Sequence, residues 1–151
     1  MTKPLPELPG DQLGPRLKML DTLVEKELNN TISKVIPNLT GVQVAVLNTL
    51  YIVDDEMSQK SLELNFRLSH PTTRGIVKRL SLMNYIQARK SDTDARQVML
   101  SLSPIGKEFM DAHFDQISKL VDQVEKKMTK DVTPGEQHIF MEVVDKMINN
   151  F

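Results

Sequence analysis

The sequence predicts a mainly α-helical fold with a small β-hairpin wing set into it. Three observations carry that prediction. Apolar residues recur at steps of three and four through both ends of the chain. Residues 57–84 read as a short helix, a turn and a second, basic helix. Two short alternating segments then follow, joined by a polar tip. In that order the elements form a winged helix-turn-helix, a unit suited to reading DNA.

The basic helix is expected over residues 69–84. Ser69 is a good N-cap, and Leu68 before it can act as a hydrophobic staple. Pro71 falls in the first turn, where its missing N–H costs nothing. Val77 and Leu80, with Thr73, share one face at helical spacing. The opposite face carries His70, Thr72, Arg74, Gly75, Lys78 and Arg79. Hydroxyls and cations on the first turns of a helix suit the major groove. Arg can be bidentate to guanine, Thr can meet a base edge or a thymine methyl, and Lys finds phosphate. The DNA-binding set expected from this helix is Ser69, His70, Thr72, Thr73, Arg74, Gly75, Lys78 and Arg79.

The expected wing strands are residues 85–89 and 98–102, which alternate apolar and polar side chains. Between them, residues 90–97 are polar apart from one Ala. Arg89, Lys90, Ser91, Asp94 and Arg96 are the expected DNA-binding residues of this hairpin, at a minor groove or a phosphate. Asp94, two residues before Arg96, is placed to orient its guanidinium by a charge-assisted bond.

These residues carry a family resemblance. Leu39-Thr40-x-x-Gln43-x-x-x-Leu47 comes first, then Leu68-Ser69-x-Pro71-Thr72 and Lys78-Arg79-Leu80. Arg89-x-Ser91-x-x-Asp94-x-Arg96 and Leu102-Ser103-x-x-Gly106 follow. In this order and spacing the chain resembles the MarR (multiple-antibiotic-resistance) family of transcription regulators over nearly its whole length. The Asp-x-Arg wing followed by Leu-Ser-x-x-Gly is the most specific piece. Two departures stand out. Gly75 replaces a usually larger, often basic residue, and Asn84 replaces the usual glycine before the wing. Asn tolerates a left-handed conformation, so the turn is expected to persist.

The resemblance implies a homodimer, with two recognition helices entering successive major grooves about 34 Å apart. It also implies a small effector, often aromatic or phenolic, bound where the dimerisation helices meet the DNA-binding lobe. The expected role is a repressor on a pseudo-palindromic operator, in the cytoplasm. The expected domain is residues 11–151, with 11–36 and 104–151 as dimerisation helices and 39–103 as the winged lobe. The rival reading is a winged-helix module for protein–protein contact that does not bind DNA.

Composition limits the alternatives. The chain has 151 residues, enough for one domain or one protomer of an oligomer. It is 40% apolar and only 5% aromatic, with nine Met and no Trp, a soluble helical balance. No apolar run approaches membrane-spanning length. Residues 1–10 hold Pro4, Pro6 and Pro9 without an apolar stretch, so a frayed arm is expected rather than a signal peptide. Cysteine is absent, which fits a reducing cytoplasm and removes the cysteine redox switch that some MarR-type regulators use.

The net charge of −1 hides a strong asymmetry. Residues 57–107 hold nine Lys/Arg and three Asp/Glu, a local charge of +6. The remainder holds ten against seventeen, or −7. Phosphate binding needs local positive charge, not a basic whole protein. The acidic remainder is expected to keep the flanking helices off the DNA.

The flanking segments read as long amphipathic helices. In residues 11–36 the stripe is Leu13, Leu17, Leu20, Val24, Leu28, Ile32 and Val35, ended by Pro37 and Asn38. Thr40 with Gln43 forms a capping box for the next helix, whose inner face is Val42, Val46, Leu47, Leu50 and Val53. Asp54-Asp55-Glu56 reads as a solvated acidic turn. Ser58 caps a short helix carrying Leu62 and Phe66 inward. Ser103-Pro104 opens the long helix after the wing, and Thr133-Pro134-Gly135-Glu136 opens the last. That last helix keeps Ile139, Phe140, Val143, Met147, Ile148 and Phe151 apolar to its final position, as though something covers it.

The chemistry-bearing side chains do not assemble into an enzyme or metal pattern. His70, His113 and His138 fall in three separate elements, and a zinc site needs converging ligands. His113 between Asp111 and Asp115 reads as a solvated or helix-packed histidine. Asp92 and Asp94 sit in a hairpin tip, not a cleft. There is no nucleophile elbow or phosphate-cradling glycine loop, so neither a cofactor nor catalysis is expected.

Overall fold

A computed structural model describes residues 11–151. The expected proline-rich arm at residues 1–10 lies outside the described residues. The element order is α1 (Leu13–Val35), α2 (Gly41–Val53), β1 (Met57–Ser58), α3 (Gln59–Phe66), α4 (His70–Leu82), β2 (Ile86–Lys90), β3 (Val98–Leu102), α5 (Pro104–Met128) and α6 (Pro134–Ile148). No helix among the described residues is long and apolar enough to cross a membrane.

Local chemistry sets the helix starts. Thr40 Oγ1 accepts the Gln43 N–H while Gln43 Oε1 accepts the Thr40 N–H, the reciprocal pair of a capping box. Thr133 and Glu136 repeat it at α6. Ser58, Ser69 and Ser103 cap α3, α4 and α5, each accepting the N–H three residues on. Asp54 and Arg67 end α2 and α3 in the left-handed conformation.

The sheet departs from the expected hairpin. It has three strands, in the order β1-β3-β2, all antiparallel. β1 is only Met57 and Ser58, paired with Leu100 and Met99. Two residues are too short to show a period, so alternation gave no sign of this strand.

The turn into the wing works as expected. Asn84 has φ 60°, the left-handed region that asparagine tolerates. Ser103 Oγ donates to the Asn84 carbonyl, and the Ser103 N–H donates to the Tyr85 carbonyl at 3.0 Å. A Cβ on Gly106 would lie 1.9 Å from that same Tyr85 oxygen, so only glycine fits where α5 crosses the turn.

One core joins the elements of the winged lobe. Leu47, Leu50, Leu62, Leu80, Leu100 and Met110 are fully buried, and Ile32, Ile86 and Ile117 extend the cluster into α1, the wing and α5. Val44 and Ile76, outside the expected stripes, are also buried, while Val53 is exposed. Tyr51 Oη donates to Asp111 Oδ1 at 2.7 Å, and its ring lies 5.1 Å from that of Phe114. The Phe109 ring stacks on His113 and meets Tyr85 at a tilt. His113 Nδ1 lies 2.8 Å from its own helix's Phe109 carbonyl, so the ring is packed along α5 as expected.

The ends differ. The N-terminal half of α1 leaves Leu13, Leu17, Leu20 and Leu23 exposed. α6 buries none of its residues and exposes Ile139, Phe140, Met141, Val143 and Ile148.

Candidate nucleic-acid interface

The core orients α4. Thr73, Ile76, Val77 and Leu80 are its buried residues, so the other side must face outward. Pro71, Gly75 and Lys78 lie near the middle of that outer side by helical spacing. Arg74, Gly75 and Lys78 line a shallow groove with Pro71 and Gln59. Arg79 lies on the other flank, lining a groove with Glu25, Asn29, Thr40 and Gln43 at the α1–α2 corner.

Thr73 requires correction. It is 2% exposed, and its hydroxyl donates to the Ser69 carbonyl at 3.1 Å. It is a packing residue of α4 and cannot reach a base. The sequence had already placed it on the face with Val77 and Leu80, and burial decides between the two assignments. Ser69 serves as the N-cap, with its Oγ 2.8 Å from Thr72 Oγ1. Thr72 itself is exposed.

His70 is tied down as well as exposed. Its Nδ1 lies 2.5 Å from Glu63 Oε1, linking the first turn of α4 to α3. Glu63 also accepts from Gln59 Nε2. The His70 bond, above all, holds the Glu63 carboxyl below its usual pKa.

The tip of the wing is built from its own polar groups. The Ser91 N–H donates to the Gln97 carbonyl, and Ser91 Oγ accepts from the Thr93 and Asp94 N–H groups. Asp94 Oδ1 accepts the backbone N–H of Arg96 at 3.0 Å, not its guanidinium. The expected orienting bond is therefore a turn bond, and Arg96 itself is exposed. Ser58, Gln59, Lys60, Glu63 and His70 face Asp94, Arg96 and Gln97 across an open polar groove of about 350 Å³. The helix-turn-helix and the wing thus converge on one surface.

Arg89 stands apart from the other expected cations. Its guanidinium is bidentate to Glu56, the residue read from sequence as part of a solvated turn. Each partner's pKa moves away from neutrality because of the other: Glu56 down, Arg89 up. Local spacing carries no signal for two residues 33 positions apart. Among the described residues, Arg74, Lys78, Arg79, Lys90 and Arg96 form no ion pair with an acidic side chain. Of the cations expected to bind DNA, those left free therefore lie on α4 and at the wing tip.

This geometry is that of a winged helix-turn-helix regulator, and comparison with known proteins defines the class. Residues 27–113 match the family Staph_reg_Sar_Rot, described as Transcriptional regulator SarA/Rot. The chain belongs to that family of transcriptional regulators, which sets it apart from enzymes. No curated protein sequence matches it.

Solved structures share the fold, as the MarR resemblance implied. A cysteine-to-serine mutant of MarR from E. coli, complexed with operator DNA, superposes with a TM-score of 0.74 at 20% identity, covering 89% of this chain and 92% of that one. MepR of S. aureus in a DNA complex gives 0.75 at 15% identity, covering 93% and 98%. BpsR of Bordetella bronchiseptica, described for regulation of its DNA binding by 6-hydroxynicotinic acid, gives 0.74 at 19%, covering 94% and 96%.

Proposed function

We propose that the chain is a sequence-specific DNA-binding regulator that acts as a homodimer in the cytoplasm, most simply as a repressor on a pseudo-palindromic operator. One observation carries this reading: Arg74 and Lys78 project unpaired from the outward face of a recognition helix, beside a wing whose tip offers Lys90 and Arg96. Arg74 reads a base edge from the exposed first half of α4. Lys78 and Arg79, a turn further on, anchor to phosphate. Lys90 and Arg96 hold the flanking backbone or minor groove. Thr72 is left to meet a base edge or a methyl group. The two lobes are spaced by α1, α5 and α6 of both protomers, so residues 11–36 and 104–151 are the dimerisation segments. A small aromatic effector, by analogy with the ligand in the description of BpsR, would act by changing that spacing.

The test is selection of bound duplex from a random pool, followed by a salt titration of the selected site. Arg74→Ala should relax the consensus, since a bidentate guanine contact discriminates by about 1–3 kcal/mol. Lys78→Ala should weaken all sequences alike and lower the salt slope by about one unit. Absence of any selected duplex at low salt would overturn the reading in favour of a protein-contact module. An unchanged consensus for Arg74→Ala with an altered one for Lys78→Ala would show that the face is turned the other way.

A further inference from the structure

The wing extends beyond the strand that supports its sheet. β1 pairs only with Met99 and Leu100, whereas the β2–β3 pairing continues to Lys90 and Val98. β2 is an edge strand, bonded to β3 alone. Hairpin bonds by themselves therefore leave the direction of the tip loosely set against the body of the lobe.

Arg89 lies at the outer end of β2, and every nitrogen of its guanidinium has a partner inside the protein. Nε and Nη2 donate to the two carboxylate oxygens of Glu56. Nη1 donates to the Lys90 carbonyl at 3.1 Å and lies 3.4 Å from Asp92 Oδ1. Glu56 stands in the turn between α2 and β1, one residue before the strand. That turn runs beside α5, with Asp54 Oδ1 3.5 Å from Lys107 Nζ. A two-point Arg–carboxylate pair fixes orientation as well as distance, which a point contact does not.

We infer that Glu56 is a positioning residue for the wing: by holding Arg89 it aims Lys90 and Arg96 at the surface that α4 presents, and Arg89 itself does not touch DNA. The inference rests on the DNA-binding reading. It also corrects the assignment of Arg89 as a DNA contact. The neighbouring Lys90 and Arg96 form no ion pair with an acidic side chain among the described residues.

The experiment measures binding of the full chain to its selected duplex across a salt series, for the wild type, Glu56→Gln, Arg89→Gln, the double variant and the charge-swapped pair E56R/R89E. Each single variant should weaken binding by roughly tenfold, because a freed wing must be ordered before Lys90 and Arg96 can make the same contacts. The double variant should be no weaker than either single one, because both remove the same clasp. The salt slope should stay at the wild-type value, and the swapped pair should recover most of the affinity. Thermal melting should be unchanged in all of them, since an exposed pair adds little to stability.

The inference is overturned if Glu56→Gln binds as well as or better than wild type while Arg89→Gln binds weakly with a slope lowered by about one unit. That pattern makes Arg89 a phosphate contact that Glu56 merely occupies in the free protein. Trypsin cleavage after Lys90 and Arg96 gives a readout without DNA. It should be faster in Glu56→Gln, and an unchanged rate overturns the clasp even if the wild type binds no duplex. Absence of duplex binding together with faster cleavage would sink the DNA reading and leave the clasp standing.

Discussion

The winged lobe and the two chain ends are built from similar residues with opposite outcomes. In the lobe, Leu47, Leu62, Leu80 and Leu100 are fully enclosed by their own chain. At the ends, Leu23, Ile139 and Phe140 are as apolar, yet stand 58%, 60% and 47% exposed. Leu20, Leu23 and Val24 of α1 meet Val124 and Met128 of α5 along an open groove, with Lys127 bonded to Glu27 at its edge. Among the described residues nothing covers that groove. The lobe thus completes its core alone, while the ends carry an apolar surface of the kind an association interface needs. An amphipathic stripe announces that a face will be covered, but not by which chain.

Substitutions can test this contrast. The largest effect is expected in the lobe. Leu80→Ala should cost about 2–5 kcal/mol of stability, because a cavity opens where α4 meets the core. Chemical denaturation would read it, and a loss below about 1 kcal/mol would mean that the site collapses readily. Next comes the end region. Ile139→Asp should leave the lobe folded but weaken self-association by roughly 2 kcal/mol or more, if Ile139 is a central contact. Sedimentation across a concentration series measures this. A wild-type chain that stays monomeric at micromolar concentration would remove the dimer from the proposal.

A smaller effect is expected at Gly75. A Cβ built there meets nothing within 4 Å, so the supporting helix does not require glycine. Gly75→Ala should stabilise α4 by up to about 1 kcal/mol, the usual helix preference. If the bare backbone approaches DNA closely, the same change should weaken binding. A variant that is stabler and binds as well as wild type would show that no close approach occurs at this position.

The smallest effect concerns pH. Bonds from the Thr133 backbone and hydroxyl hold the Glu136 carboxyl below its ordinary value of 4.5. A depressed carboxylate stabilises the fold while ionised. Its contribution is therefore complete above that value and fades as pH falls through the lower, folded one. Glu136→Gln should flatten the acid side of the stability curve slightly, as read by melting in steps from neutral pH downward.

Much of the architecture is legible in local chemistry. Thr40–Gln43 and Thr133–Glu136 are three residues apart, so both capping boxes could be read directly, as could the Ser58, Ser69 and Ser103 caps. Asn84 could be assigned its left-handed turn because it stands where the MarR resemblance implies a glycine, and asparagine tolerates that conformation. The clustering of Arg74, Lys78 and Arg79 opposite Val77 and Leu80 needed only the helical period. Where sequence alone went astray, the deciding contact was distant. Thr73 is the exception: the helical period already set it beside Val77 and Leu80, and its burial removes it from the expected DNA contacts. Glu56 looked solvated because its partner, Arg89, lies 33 residues away.

The sequence by itself determined the helices, their caps, the wing and the concentration of positive charge on one segment. Each of these depends on residues within a few positions of one another, where spacing is geometry. Only the tertiary structure decided which cations remain free and which are held, that β1 joins the sheet, and that the apolar faces of α1 and α6 stay open among the described residues. Those outcomes depend on which surfaces meet after the chain has folded back on itself. Pairing and burial over such separations follow from the packing of the whole core, and no local pattern of residues encodes them.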